Sequence, residues 1–365
     1  MRRLSRPSAD DRGAVAALLA VVLGGGVLLG MAAVVVDVGR LYAEREQLQT
    51  GADAAAWAVA EACVRLPESC AEQGAGAERY ASAVAADGAA GIAEICGRGP
   101  GLVDCSAPAT NRTACLGAVP VTGSYAEVRT RTLGRDGSTL LPRTFARALA
   151  GDDTGTSVGA CARVAWGAPR RAAGAAVTFS MCEWEALTDG GLTLWPSPSD
   201  GTPPASAERV VRLKGSPSAT TCPAGPSGWD RPGGFGWLDD TGGNCTTTVE
   251  TDGSFGGDTG NSVSSACRTA FAALRDERRP MLIPIYDGVT GNGASTTYHL
   301  AGFASFVLTG YYQSGFTAPS RLTGLHRCGD SERCVYGYFT RALVPTTGVT
   351  IGGPDLGVSV VNSIG

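Results

Sequence analysis

The chain has 365 residues, room for two domains or for one domain with an anchor. Hydrophobic residues make up 44% and charged residues 18%, with a formal net charge of −4, which permits a packed core and argues against nucleic acid as a partner. With 52 glycines and 20 prolines the chain reads as short strands and loops, not as a helical bundle.

Taken in chain order, the first element is an apolar run. Ala14 to Val36 is 23 residues without a charge. As a helix it would extend roughly 34 Å, enough for a bilayer core. A signal-peptide core is shorter, about 7–15 residues, so length favours an uncleaved anchor; the small residues Gly30, Ala32 and Ala33 leave cleavage open. Arg2, Arg3, Arg6 and Arg12 precede the run, while Arg40 and Arg45 follow it closely. The excess of arginine before it predicts a cytoplasmic N-terminus, with the remainder outside the plasma membrane. Gly26 and Gly30 form a small-xxx-small pair that would let two such helices self-associate, although such pairs are common in a glycine-rich chain.

The helical pattern continues beyond Asp37. Val34, Val38, Leu41, Leu48, Ala52, Ala55, Val59 and Ala62 recur at spacings of three and four, with Arg45 interrupting the seam. The spacing predicts one continuous rod of about 50 residues, roughly 75 Å, half in lipid and half outside. Its seam must be covered by the chain's own outer domain or by a partner helix.

The order of residues here resembles the TadG-like and TadE-like proteins of the Flp (tight adherence) pilus-assembly system. The resemblance rests on Gly13, on Asp37-Val38-Gly39-Arg40-Leu41-Tyr42, and on the run from Leu48-Gln49 through Ala52, Asp53 and Ala60. It covers about residues 12–60. It implies an extracytoplasmic component of pilus assembly, anchored in the lipid bilayer, that contacts other pilus-assembly or envelope proteins. Pseudopilins of the TadE type carry a glutamate five positions after the processing glycine. Counted from Gly13 that position is Leu18, which favours a retained anchor over a processed subunit.

Further along, residues 72–86 predict a short helix, YAEVRTRTL (125–133) a strand, LPRTFARALAG (141–151) a short helix and SVGACARVAW (157–166) a strand. A boundary falls near Gly167-Ala168-Pro169. The second unit begins with TFSMCEWEALT. Its predicted strands are RVVRLKG (209–215), PMLIPIYDG (280–288), YHLAGFASFVLTGYY (298–312) and RCVYGYFTRALV (333–344), with a helix over Asn261–Ala273. In PGGFGWLDDTGGNC (232–245), Phe235, Trp237 and Leu238 read as a core plug rather than an exposed groove, and the stretch also resembles a pattern in actinobacterial TadG-like proteins.

All twelve cysteines follow the apolar run: Cys63, Cys70, Cys96, Cys105, Cys115, Cys161, Cys182, Cys222, Cys245, Cys267, Cys328 and Cys334. An even count without a C-x-x-C pair fits a disulfide framework in an oxidising compartment. Connectivity stays open; short spacing suggests Cys63–Cys70, Cys96–Cys105 and Cys328–Cys334.

Catalytic patterns are weak. Gly155-Thr156-Ser157-Val158-Gly159 matches G-x-S-x-G but lacks a strand before it and a helix after it. His299 and His326 are the only histidines; His299 lies in a predicted strand, and His326 with Cys328 and Cys334 lacks a fourth zinc ligand. Asp136-Gly137-Ser138 and Asp252-Gly253-Ser254 begin a D-x-S-x-S metal motif, but Leu140 and Gly256 end it, and the pair Asp239-Asp240 reads as solvated. No catalytic, cofactor-binding or metal-ligating residue is therefore expected, and no enzyme.

The predicted fold class is α+β: a single N-terminal transmembrane helix running on into a long amphipathic helix, then a disulfide-linked mixed α/β extracytoplasmic region. The predicted divisions are 1–13, a cytoplasmic N-terminus; 14–36, the transmembrane helix; 37–166, the TadG-like helix with a small α+β domain; 170–345, a β-rich cysteine-containing domain; and 346–365, a flexible tail. Two other functions stay open: a processed minor pseudopilin, and a secreted binding or hydrolytic domain.

Overall fold

In the computed structural model the N-terminal run is helical over α1 (Asp10–Gly24) and α2 (Val27–Arg65), and residues 25–26 between them lie outside the described residues. The structure describes residues 10–24, 27–66, 70, 74–107, 115, 117–143, 145, 155–199, 201–212, 235–240, 243–257, 263–291, 295–329, 332–344 and 348–365. Among these, no helix is long and apolar enough to cross a membrane. This overturns the predicted transmembrane helix. The physical reason is visible in the sequence. Gly24, Gly25 and Gly26 interrupt the run, each costing a helix about 1 kcal/mol relative to alanine. Neither apolar piece then approaches the ~20 residues that a hydrocarbon core requires.

The chain divides into two compact units. Unit 1 takes Met1–Ala118, Tyr125–Val164 and Ser363–Gly365. Helix α2 docks here through Leu48, Ala52, Ala55, Ala56, Val59 and Cys63, all buried and all on one stripe. The run ADAAAWAVAEA is rich in strong helix formers, so propensity and packing agree. Helix α3 (Gly74–Ala83) crosses it closely: a Cβ on Gly51 would lie 3.0 Å from the Ala81 carbonyl oxygen. Strands β1 (Gly91–Arg98), β2 (Ser124–Arg131) and β3 (Gly159–Gly167) follow in that order in one sheet, β1 and β2 antiparallel from Gly91↔Arg131 to Arg98↔Tyr125. Of the second helix predicted in this region, 141–151, only residues 141–143 and 145 are described, and the rest lies outside the described residues. Leu141 forms a bridge with Thr156.

Unit 2 takes Val119–Ser124 and Ala165–Asn362. Its elements are β4 (Pro169–Ala175), β5 (Val177–Ser180), α4 (Met181–Thr188), β6 (Arg209–Arg212), β7 (Phe235–Trp237), β8 (Thr246–Glu250), β9 (Ser254–Gly256), α5 (Ser265–Glu277), β10 (Pro280–Thr290) and β11 (Thr297–Gln313). They continue with β12 (Phe316–Ala318), β13 (Cys334–Phe339), β14 (Ala342–Val344), β15 (Thr350–Ile351), β16 (Asp355–Leu356) and β17 (Val358–Ser363). The large sheet runs β6-β13-β11-β10-β5-β7, with β9, β12 and β16 also paired to β11; a smaller one runs β15-β4-β8. At 17 residues β11 is the spine. Its core side contributes Phe306, which meets Phe179 edge-on at 5.2 Å and Phe339 at 5.1 Å. Trp237 and Leu238 are buried, as the core-plug reading requires. The predicted flexible tail is instead strand: Val358, Val360 and Val361 of β17 are buried, and β14 runs parallel to it from Ala342↔Val358. A valine every second or third residue suffices once a neighbour is in place, which local composition did not reveal.

All eleven described cysteines are disulfide-bonded. The bridges Cys63–Cys70, Cys96–Cys105 and Cys328–Cys334 are those suggested by short spacing, and Cys115–Cys161 and Cys245–Cys267 close longer loops. Cys182 is oxidised too, and Cys222 lies outside the described residues.

Each unit also buries charge. In unit 1 both carboxylate oxygens of Glu127 are taken by arginines: Arg129 at 2.7 Å and Arg163 at 2.7 Å, with all three side chains at most 8% exposed. Arg129 continues to Glu94 at 2.6 Å and to the Ser106 carbonyl at 3.0 Å, while Arg163 donates to the Gly117 carbonyl at 3.2 Å. In unit 2 the Glu208 carboxylate, fully buried, accepts from Thr309, Ser320 and Thr323 and pairs with Arg327.

Removing one partner of a buried ion pair strands the others. Glu127→Ala should destabilise unit 1 by about 3–5 kcal/mol in urea denaturation with disulfides intact. The exposed control Glu78→Ala should change stability by less than about 0.5 kcal/mol. A pH effect follows from Glu94. Its carboxyl is held below its ordinary 4.5, first by the backbone N–H of Ser106, then by the Ser106 hydroxyl and Arg129. A carboxylate with a depressed folded-state pKa stabilises fully above 4.5, and that contribution is lost as pH falls through the folded value. Stability measured from pH 6 downward should therefore fall less steeply in Glu94→Gln than in the parent; parallel curves would remove Glu94 from the explanation.

Candidate functional site

The residues that carry the motif sit on α1 and α2, and the structure sorts them into two sets. From Leu48 onward they hold unit 1 together. Gln49 donates to the Cys161 carbonyl at 3.0 Å and to Asp53 at 3.3 Å. The Leu48 carbonyl accepts from Thr130 at 3.0 Å, the Gln47 side chain accepts from the Ala86 N–H at 2.8 Å, and Ala52 is wholly buried. Asp53 is exposed at its tip, yet burial of its surroundings raises its carboxyl, against the opposing bond from Gln49. Glu44 is raised likewise, by desolvation first and by the charge of Asp87 second. This half of the motif is explained by packing: a helix with alanine-sized residues on one stripe can lie close on a sheet, and Gln49 satisfies a carbonyl that the helix would otherwise cover.

The other set, Gly13 to Tyr42, covers little. A Cβ on Gly13 or Gly39 would meet nothing within 4 Å. Val15, Leu18, Val21, Met31, Val35 and Tyr42 are each more than 60% exposed. Gly30 is half-buried, and its predicted partner Gly26 lies outside the described residues. Asp37 is the polar exception. Both of its oxygens accept from the backbone N–H of Phe145, at 3.0 and 3.3 Å. With Arg40, Val34, Val38 and Leu41 it borders a cavity of about 210 Å³, closed from the other side by Leu141, Pro142, Arg143 and Thr156. Asp37 thus fastens the segment after Pro142 to the first exposed turns of α2, at the point where apolar exposure gives way to docking.

The other sequence candidates are placed elsewhere. Ser157 of the G-x-S-x-G pattern is followed by β3, not by a helix. Two groups bring sulfur to a carboxylate, Cys96 and Cys105 with Glu127, and Cys115 and Cys161 with Glu127, all within 4.8 Å. The sulfurs in each group are bonded to one another and Glu127 is held by two arginines, so neither group offers thiolate ligands. Cys328 and Cys334 are likewise bonded to each other beside His326, which contacts the Tyr336 hydroxyl at 3.4 Å. Asp136 turns back on the Ser138 N–H at 2.9 Å, and Asp240 accepts from the Cys245 N–H at 2.8 Å, so both serve local turns. His299 meets Asp287, a pairing the sequence did not signal because the two lie on different strands.

Comparison with known proteins finds a match for residues 13–62 in the family described as putative Flp pilus-assembly TadE/G-like. No curated protein and no solved structure matches the chain. The matched stretch begins at the exposed Gly13 of α1 and ends one residue before Cys63, so it takes in both halves of the motif and nothing of unit 2. By that match, the N-terminal helical segment, residues 13–62, is similar to the TadE/G-like family of Flp pilus assembly.

Proposed function

We propose that this protein takes part in Flp pilus assembly by protein–protein contact, through the exposed apolar surface of α1 and the first turns of α2. One observation carries the reading. Within the family-matched segment, large apolar side chains from Val15 to Tyr42 stand open to solvent, while from Leu48 onward the same segment is buried. Contiguous apolar exposure of this kind marks an interaction surface. Its occupant in this reading is an apolar helix of another pilus-assembly protein, seated along the exposed Val15, Leu18, Met31 and Val35. The disulfide-bonded units lie on the extracytoplasmic side of the plasma membrane, a placement supported by the oxidation of every described cysteine.

Two measurements test this. A photo-crosslinker placed at Val35 or Tyr42 in intact cells should capture proteins that themselves belong to the Flp pilus machinery, and one placed at exposed Leu192 of unit 2 should not. Recovery of the same abundant proteins from all three positions would end the proposal. Acid-quenched cells treated with a thiol-alkylating mass tag should show none of the twelve cysteines labelled before reduction. A ladder of labelled forms would place the units in a reducing compartment instead.

A further inference from the structure

Unit 2 carries a row of three side chains that neither the family match nor the assembly role uses. Strands β10 and β11 pair antiparallel, but the register slips around Asp287: Tyr286 faces Leu300 and Gly288 faces His299, leaving Asp287 as the extra residue of a bulge. A bulge re-aims the side chain it carries. Here it brings Asp287 Oδ1 to 2.5 Å from His299 Nδ1. On the opposite edge of β11, strand β9 sets Ser254 directly across from His299. The Leu300 N–H donates to the Gly253 carbonyl at 3.0 Å, one residue beyond that pair on each strand. Bonds so placed make His299 and Ser254 a non-hydrogen-bonded pair, the closer of the two antiparallel spacings, with Cα atoms about 4.5 Å apart and side chains on one face.

The order across β10, β11 and β9 is therefore acid, imidazole, hydroxyl. Asp287 takes Nδ1 from the β10 side, which leaves Nε2 as the ring's other nitrogen. With Nδ1–H donating to the carboxylate, Nε2 keeps a free lone pair and can act as a base. The row is open to solvent: the His299 and Asp287 side chains are 46% and 40% exposed, and Ser254 is exposed. Gly288 stands opposite His299, where a Cβ would lie 3.3 Å from the His299 Cβ.

We propose that Ser254, His299 and Asp287 form a surface acyl-transfer site, with Ser254 as nucleophile, His299 as general base and Asp287 as the positioning residue that fixes the imidazole. Its substrate class is a carboxylic ester presented on an exposed chain, since the row lies on an open sheet face. Ser254 Oγ attacks the carbonyl carbon as its proton passes to His299 Nε2. The tetrahedral adduct collapses, the C–O bond to the leaving alcohol breaks, and the alkoxide takes the proton from Nε2. Water then attacks the acyl-serine, giving its proton to Nε2 and releasing the acid, and the serine hydroxyl recovers that proton. Asp287 stays ionised throughout.

The test uses the full oxidised chain and a fluorophosphonate probe, with the adduct located by peptide mass spectrometry. Ser254 should be labelled, and Ser254→Ala should abolish labelling at that peptide without moving the melting temperature. His299→Gln should slow labelling at least tenfold. Asp287→Asn should slow it as well, and Asp287→Glu should recover part of the rate, a rescue that a merely structural aspartate would not give. Hydrolysis of p-nitrophenyl butyrate should follow the same order. Absence of an adduct on Ser254, or labelling at the parental rate in His299→Gln, would overturn the proposal and leave a surface ion pair. Neither outcome touches the pilus-assembly reading, which is measured on α1 and α2.

Discussion

Unit 1 depends on one carboxylate. Glu127 sits on the central part of β2 with essentially no access to water, and among the described residues its charge is compensated by the guanidinium groups of Arg129 and Arg163. Two charges of one sign against one of the other would leave an excess in a low-dielectric interior. Glu94 supplies the second negative charge through Arg129, and the Ser106 and Gly117 carbonyls take remaining donors. The planar guanidinium suits this task, since it presents several donors in fixed directions. The network reaches the loop closed by Cys96–Cys105 through Ser106, and the strand that carries Cys161 through Arg163. The bridges and the charges therefore constrain the same few strands, and neither set can be rearranged without the other.

Much of this was legible in the sequence, for reasons that differ by element. The buried half of α2 is marked by small apolar residues at helical spacing, and β10, β11 and β13 by aromatic and β-branched runs. The apolar run before Asp37 has the length and the lack of charge of a membrane span, yet it holds three consecutive glycines, Gly24 to Gly26, which disfavour helix. Strands β15 to β17 were missed because strands of two to six residues between glycines carry no alternation long enough to read; they exist only because a neighbour is there to pair with. Bridges over 7, 9 and 6 residues could be suggested from spacing, whereas those over 46 and 22 depend on strands brought together by the fold. The meeting of Asp287 with His299 needs a bulge, and a bulge has no signature in one sequence.

The division of α2 also explains why a family match can end near Cys63. A helix that must both dock on a sheet and present a surface to another protein is constrained on two faces in succession. First the free turns must stay apolar; then the docked turns must stay small. Such a segment keeps its residue types in order, while the sheet beneath it needs only to be apolar and of the right spacing.

The longest described crosslink has a mechanical reading. Cys115–Cys161 removes the chain between two points 46 residues apart from any path along which a pull on the ends can travel. At about 3.3–3.6 Å per residue, some 150 Å of contour stays slack under load while that bond holds. The shorter bridges add to the total. A pull on the two ends of the chain would then extend it by a limited distance and stop, with the loops inside the bridges never bearing tension.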